Sequence, residues 1–555
     1  MAIFTRHKIF WLVIILLAIG GAGLYWYLKN RKLEDFSGVI KDKLKEVVAK
    51  ASDSLYILDY DKLDIDLVKS QISLVNLHLH ADSSRYHFLV SEKRAPDDVI
   101  EIKLKALIVD DITPAEILVD KMIDLKSLYV KEPEILIFHR PQAYNTKLHS
   151  VNYNNLYQHI SSDFKKIAVG DIWFRNVKFS YHNFTEKEKV SQFKDVDFRF
   201  AQLLIDSTAH LDSLRFMYAT NCAITIPEYE IRTADSMYRV KLKDTKIETR
   251  GGKMFVDTLD INPRFSEEEF AKIKGHQEDR LTFKIEGIKL SNMNWYGLLQ
   301  DSRIQADSIS VKQGNIRVYA NRTLEPKPGN RLGTYPNQLL MKLKVPIGVR
   351  RIRLNKIDLV YREKSRNTGL TGEIKFPEAT AIIDNVVNDP ESIHKNHILK
   401  VDTKSSAPGE GSLRAVFEFD LANAKAGLFR VSGSANNQIL STMNAASKNL
   451  GMVTFDSEAT IPHLQFDIRG NELSATSTVQ ANYRNLKLTM FKQDKLGDSL
   501  TKKTVINLLS SLFAKKDKDG VPATVHVQRD IYKSIFNLLW KSIFEGTKAS
   551  LGIKK

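Results

Sequence analysis

From about Leu55 onward, apolar and polar residues alternate with a period of two. Leu63, Ile65 and Leu67 alternate with Asp64 and Asp66. Farther on, Val75, Leu77 and Leu79 fall on one side, and Asn76, His78 and His80 on the other. Successive side chains of a strand point to opposite faces, so this pattern predicts strands with two unlike faces. It returns at residues 100–107, 128–138, 177–181, 196–204, 281–285, 309–319, 413–419, 453–461 and 479–490. Helical spacing is brief inside this region. One short helix is expected after Thr113 and Pro114, with the proline at an early helical position. Another is expected at 266–275, where Ser266 and Glu269 have capping-box spacing.

The two ends of the chain break the pattern. Residues 9–28 form one apolar run. About 20 apolar residues in a helix cross a hydrocarbon core of about 30 Å, so the run predicts a transmembrane anchor behind a short tail, residues 1–8. Arg6, His7 and Lys8 precede it, and Lys29, Arg31 and Lys32 follow. Trp11, Tyr25, Trp26 and Tyr27 lie near its ends, where ring systems favour the headgroup zone. No small-residue cleavage pattern follows, so the anchor is expected to be retained. Charge flanks both ends and does not set the orientation. Within 29–55, Phe36, Val39, Ile40, Leu44, Val47 and Val48 give one helical apolar face, expected to cap the first strands or to lie on a membrane surface.

At the other end, residues 501–555 carry eleven Lys or Arg against four Asp or Glu. Val505, Leu508, Leu509 and Leu512 could form one short apolar face. From Asp530 to Glu545 a helix is predicted, with Asp530, Ser534, Asn537, Lys541 and Glu545 as a narrow polar stripe. Opposite lie Tyr532, Ile535, Phe536, Leu539 and Ile543, with Trp540 and Phe544 widening the arc. So broad an apolar arc needs cover. The helix is expected either to close the end of the strand array or to dock on a membrane or envelope protein partner.

A weak repeat runs through the body, residues 56–500. Ser127-Leu-Tyr-Val-Lys-Glu-Pro-Glu-Ile-Leu-Ile-Phe138 aligns with Ser308-Ile-Ser-Val-Lys-Gln-Gly-Asn-Ile-Arg-Val-Tyr319. Looser copies end at Tyr181 and Tyr361. Each copy is a strand, a polar, Pro or Gly break, and a second strand. Leu128 and Val130 share a face, as do Ile135 and Ile137; in the second copy so do Ile309 and Val311, and Ile316 and Val318. These eight are the candidate lining residues of any apolar groove. A recurring strand pair implies stacked units, each burying its neighbour's apolar surface. The alternation alone fits an open groove and a closed core equally.

Composition narrows the picture. A chain of 555 residues exceeds one ordinary core, and 43% apolar with 27% charged residues is the make-up of a folded protein. The net charge of +16 suits either a solubilising surface or an anionic partner, here read as lipid and not nucleic acid. Cys222 is the single cysteine, which excludes an intrachain disulfide. His78 and His80 share a strand face, but no further ligand completes a metal spacing. Asp59, Asp61, Asp64 and Asp66 lack the glycine and glutamate of a calcium loop. Gly251 with Gly252, and Gly409 with Gly411, read as turns. Neither a serine elbow nor a phosphate loop occurs, so no enzyme, metal or cofactor is expected.

Taken in order, the anchor, the following helix, Ile108-Val-Asp-Asp-Ile-Thr-Pro114, the segment 124–137, Gln305-Ala-Asp-Ser-Ile-Ser-Val311 and Val479-Gln-Ala-Asn-Tyr-Arg-Asn-Leu-Lys-Leu488 resemble the AsmA-like envelope proteins, similar to bridge-like lipid-transfer proteins. The resemblance implies a mainly β fold: an elongated, curved antiparallel sheet forming an open or taco-like groove, with one transmembrane helix and short accessory helices. It implies a single-pass protein of a bacterial inner membrane, its bulk in the periplasm, conducting phospholipid between inner and outer membranes. The alternative is an anchored scaffold, or an outer-membrane protein assembly factor, with a closed core.

Overall fold

The computed structural model describes residues 52–66, 68–111, 120–145, 164–184, 189–212, 214–407, 411–493, 500–502 and 517–552, with isolated positions 45, 48, 49, 157 and 161. The expected anchor, most of the helix at 29–55, the helical pattern after Thr113, and Val505, Leu508, Leu509 and Leu512 lie outside the described residues. Among the described residues no helix is long and apolar enough to cross a membrane.

The protein is mainly β. It divides into two compact units, Met1–Tyr229 with Lys243–Met254, and Glu230–Leu242 with Phe255–Lys555. The first holds β1 (Tyr56–Asp59), β2 (Lys62–Asp66), β3 (Gln71–Ala81), β4 (Asp98–Asp110), β5 (Met122–Lys131), β6 (Glu134–His139), β7 (Lys166–Asn183) and β8 (Lys189–Ile205). Strands β9 (Asn221–Arg232), β10 (Tyr238–Glu248) and β11 (Lys253–Pro263) contribute residues to both. The second continues with β12 (Asp279–Ser291), β13 (Ile304–Val311), β14 (Gln313–Asn321), β15 (Ile347–Lys364), β16 (Thr371–Val387), β17 (Ile398–Ala407), β18 (Gly411–Asp420) and β19 (Phe429–Ile439). After these come β20 (Val453–Phe455), β21 (Thr460–Gly470), β22 (Ser474–Arg484), β23 (Leu488–Gln493), β24 (Leu500–Lys502), β25 (Lys518–Asp519) and β26 (Ala523–Gln528). The helix Glu267–Lys274 carries the expected capping box, with the Glu269 amide donating to Ser266 Oγ and the Ser266 amide to the Glu269 carboxylate.

The sequence repeat is a repeat of strand pairing. In the first unit β5 and β6 lie in line, both antiparallel to β4 and both parallel to β7. In the second, β13 and β14 lie in line, both antiparallel to β12 and both parallel to β15. β7 pairs antiparallel with β8, and β15 with β16, each through two register shifts. The bulges coincide with positive φ at Asn176 and Asp195 in one copy, and at Lys356 and Glu378 in the other. An extra residue in a ladder requires such local geometry.

The sheet is therefore mixed, which corrects the antiparallel expectation. A strand returning parallel to its predecessor needs a crossover of a dozen or more residues. Segments 140–165 and 322–346 supply that length. Alternation is identical in parallel and antiparallel strands, so the hydrophobic pattern was blind to direction.

The first unit's core joins strands β1 to β9 through Leu58, Leu107, Leu128, Val130, Ile172 and Ile205, each at most 1% exposed. The second unit's main core lies toward its end, around Phe419, Val431, Ile468, Val479 and Leu538. The helix Ile535–Ser550 closes it, packing on β22 and β26.

A candidate apolar strip on the second unit

Away from its main core, the second unit carries a sheet face that is apolar and only half covered. On β12, Leu281, Phe283 and Ile285 recur at every second residue. Leu281 pairs with Val318 and Phe283 with Ile316 on β14. Those two pair in turn with Tyr361 and Leu359 on β15, which face Ile374 and Phe376 on β16. Directly paired residues project to the same side of a sheet. Four adjacent strands thus present one apolar surface, and all nine of these side chains are intermediate in burial. None belongs to a core cluster.

Along β13 the strip runs into a small core of Met293, Ala306 and Val349: Ile309 pairs with Leu290 and Ile352, all three packed against that core, and buried Val311 pairs with Leu354. The bulges at Lys356 and Glu378 keep Leu354 and Ile357 on the side of Leu359 despite the odd spacing. Gly314 sits opposite both Ile285 and Ile357. A Cβ there would lie 2.7 Å from Ile285 Cδ1 and 3.1 Å from Ile357 Cδ1, so the missing side chain makes room for both.

The other face is mainly polar, with Val360 and Tyr319 among its charged residues. Thr282, Arg317, Val360 and Lys375 form one register row, and Arg362 pairs with Glu373. Charged groups bound the strip at both ends. At one, Arg350 clamps Asp307 with contacts of 2.6 and 3.0 Å, two residues before Ile352 and Ile309. At the other, the Tyr361 hydroxyl donates to Glu363 at 2.5 Å, while Arg322 reaches Asp279 at 3.2 Å and Glu363 at 3.4 Å. Burial, then the Glu363 hydrogen bond, push the Tyr361 phenol up to about 12.

The eight candidate lining residues separate by copy. Leu128 and Val130 are 0% exposed, Ile135 4% and Ile137 3%; all belong to the first unit's core. Of the second copy, Val311 is buried, whereas Ile309, Ile316 and Val318 are half-buried in the strip. The repeat brings each set together across paired strands, but only the second set has members, Ile309, Ile316 and Val318, that are left half-covered. The partners on β12 and β15 were legible only as strand positions, because register joins residues distant in sequence, and those on β16 lie outside the strands that the pattern predicts.

The candidate docking helix divides as well. Ile535 and Leu539 are buried against the sheet, and Ile543 packs beside them. Tyr532, Phe536 and Trp540 are more than half exposed, as is Phe544. The imidazoles of the strand pair have carboxylate partners: His78 contacts Glu101 at 2.9 Å and His80 contacts Asp59 at 3.3 Å.

No protein-family model matches this sequence, and a search of curated proteins finds no significant relative.

Proposed function

We propose that this chain is a membrane-anchored envelope protein that shields phospholipid acyl chains along an apolar sheet face. The carrying observation is the half-covered strip of β12 to β16, framed by charge and backed by a polar face. An acyl chain in water costs about 0.8 kcal/mol per exposed methylene, on the order of 10 kcal/mol for a full tail. A surface of Leu, Ile, Val and Phe side chains removes that cost without gripping any one atom, so a tail is free to slide. Headgroups stay at the charged margins. The apolar run 9–28 would hold the protein in the membrane, and on the resemblance to AsmA-like proteins the body would lie in the periplasm, between inner and outer membranes. Neither a nucleophile nor a metal is required.

The sealed core of the first unit favours a second reading, a scaffold whose strands serve packing alone. Mass spectrometry of the full chain, purified in mild detergent, separates the two. Phospholipid should accompany the wild-type protein and be lost on changing Ile316 and Val318 together to Asp. A wild-type protein free of lipid would leave only the scaffold.

A further inference from the structure

The helix Ile535–Ser550 has two apolar faces with different fates. One is spent: Ile535, Leu538 and Leu539 are at most 6% exposed against the sheet. The other is bare. Phe536 is 67% exposed, Trp540 61% and Phe544 51%, at successive spacings of four, and Tyr532 at 61% extends the row ahead of the helix. Residues four apart are neighbours on a helix surface, so these rings form one ridge. Trp540 and Phe544 stack with centroids 6.4 Å apart.

Such a ridge is convex and aromatic. A bilayer's headgroup zone accepts ring systems of this kind, with the polar edges of Trp and Tyr left in water. Charges of both signs lie beside the ridge with cations in the majority, Lys533, Lys541 and Lys548 against Asp530 and Glu545, which pair with Lys533 at 3.6 Å and Lys548 at 2.8 Å. Lys533 and Lys541 each follow a ring by one residue and are exposed, and the Lys548 ammonium lies 5.1 Å from the Phe544 centroid. The segment 501–555 has a surplus of seven positive charges. Basic residues near an anionic membrane surface add to binding. We infer that this aromatic ridge docks on a lipid bilayer carrying anionic headgroups. The inference is independent of whether lipid occupies the strip.

A local probe tests it on the full chain. Cys222 is buried, its thiol pushed up to about 12 by that burial, so Phe536→Cys supplies the one reactive thiol for an environment-sensitive fluorophore. Vesicles of mixed phosphatidylcholine and phosphatidylglycerol should raise its emission about twofold and shift it to the blue, as for a probe entering an apolar interface. Pure phosphatidylcholine should give much less. Trp540→Ser, or the pair Lys533→Glu and Lys541→Glu, should return the signal toward its value in buffer, with far-ultraviolet circular dichroism unchanged. A fluorophore at Thr476→Cys, exposed on β22, should stay silent. A ridge probe silent on both vesicles overturns the inference in favour of a protein partner. An equal response to both vesicles, or from Thr476→Cys, overturns it as well.

Discussion

Ile137 and Val318 hold equivalent places in the two copies of the repeat, and their surroundings differ. Ile137 is 3% exposed and packed on all sides, whereas Val318 is half-buried in the strip. A carboxylate placed at Ile137 would sit inside an apolar core, shut away from solvent. Burying an unpaired charge is expensive, and the group escapes only by taking up a proton or unfolding its surroundings. Ile137→Asp should therefore destabilise the protein by at least about 3 kcal/mol. At Val318 the new carboxylate reaches solvent, and the loss should stay below about 1.5 kcal/mol, the worth of part of one side chain's burial. Urea unfolding of the two full-length variants measures the difference. Equal, large losses would mean that the strip is a sealed core and not a lining surface.

The Ile535–Ser550 helix shows why an element's apolar arc is a poor guide to which part of it is buried. The sequence pattern put Tyr532, Ile535, Phe536, Leu539, Trp540 and Ile543 on one broad face and left open whether it closes the strand array or docks elsewhere. In the structure the sheet contact instead includes Ser542, Gly546 and Ser550, three small residues at spacings of four. A Cβ at Gly546 would collide with Val479, so the helix lies directly on β22. Close approach selects small residues as much as apolar ones, and a hydropathy pattern does not register that preference. The same limit hid the parallel pairings, since alternation fixes the face of a residue and not its strand's direction. What the pattern did carry was the strand pairs, the repeat, the capping box and the existence of this helix, because each rests on local spacing. The division of the helix is measurable. Leu538→Ala, at a site 1% exposed, should cost about 2–5 kcal/mol in thermal or chemical unfolding, the usual range for truncating a packed leucine. Trp540→Ala should cost under about 0.5 kcal/mol, as for an exposed site. A large loss at Trp540 would place that ring in the core.

For the molecule as a whole, the decisive quantity is how much apolar surface the folded chain leaves uncovered. Local sequence cannot report it, because covering groups come from elsewhere in the chain. The two copies of the repeat make the point: similar strand pairs, the same pairing scheme, one face sealed and the other half open. An open apolar face is a site that the native state offers and the unfolded chain lacks, so its occupant must stabilise the fold. Free ligand at about a hundred times its dissociation constant adds about 2.7 kcal/mol. Stripping phospholipid from the full-length protein should accordingly lower its melting midpoint, and adding phospholipid back should restore it in proportion to the logarithm of the free concentration. With phosphatidylcholine as the added lipid, to which the ridge responds little, the midpoint of the Ile316→Asp, Val318→Asp double variant should no longer respond, because the charges make the strip a poor surface for methylenes. Loss of Trp540 should leave the response intact, since that ring belongs to a different surface. Differential scanning calorimetry across a lipid titration reads all three. A wild-type midpoint indifferent to lipid would remove the acyl chain from the strip and leave its exposed side chains without an occupant.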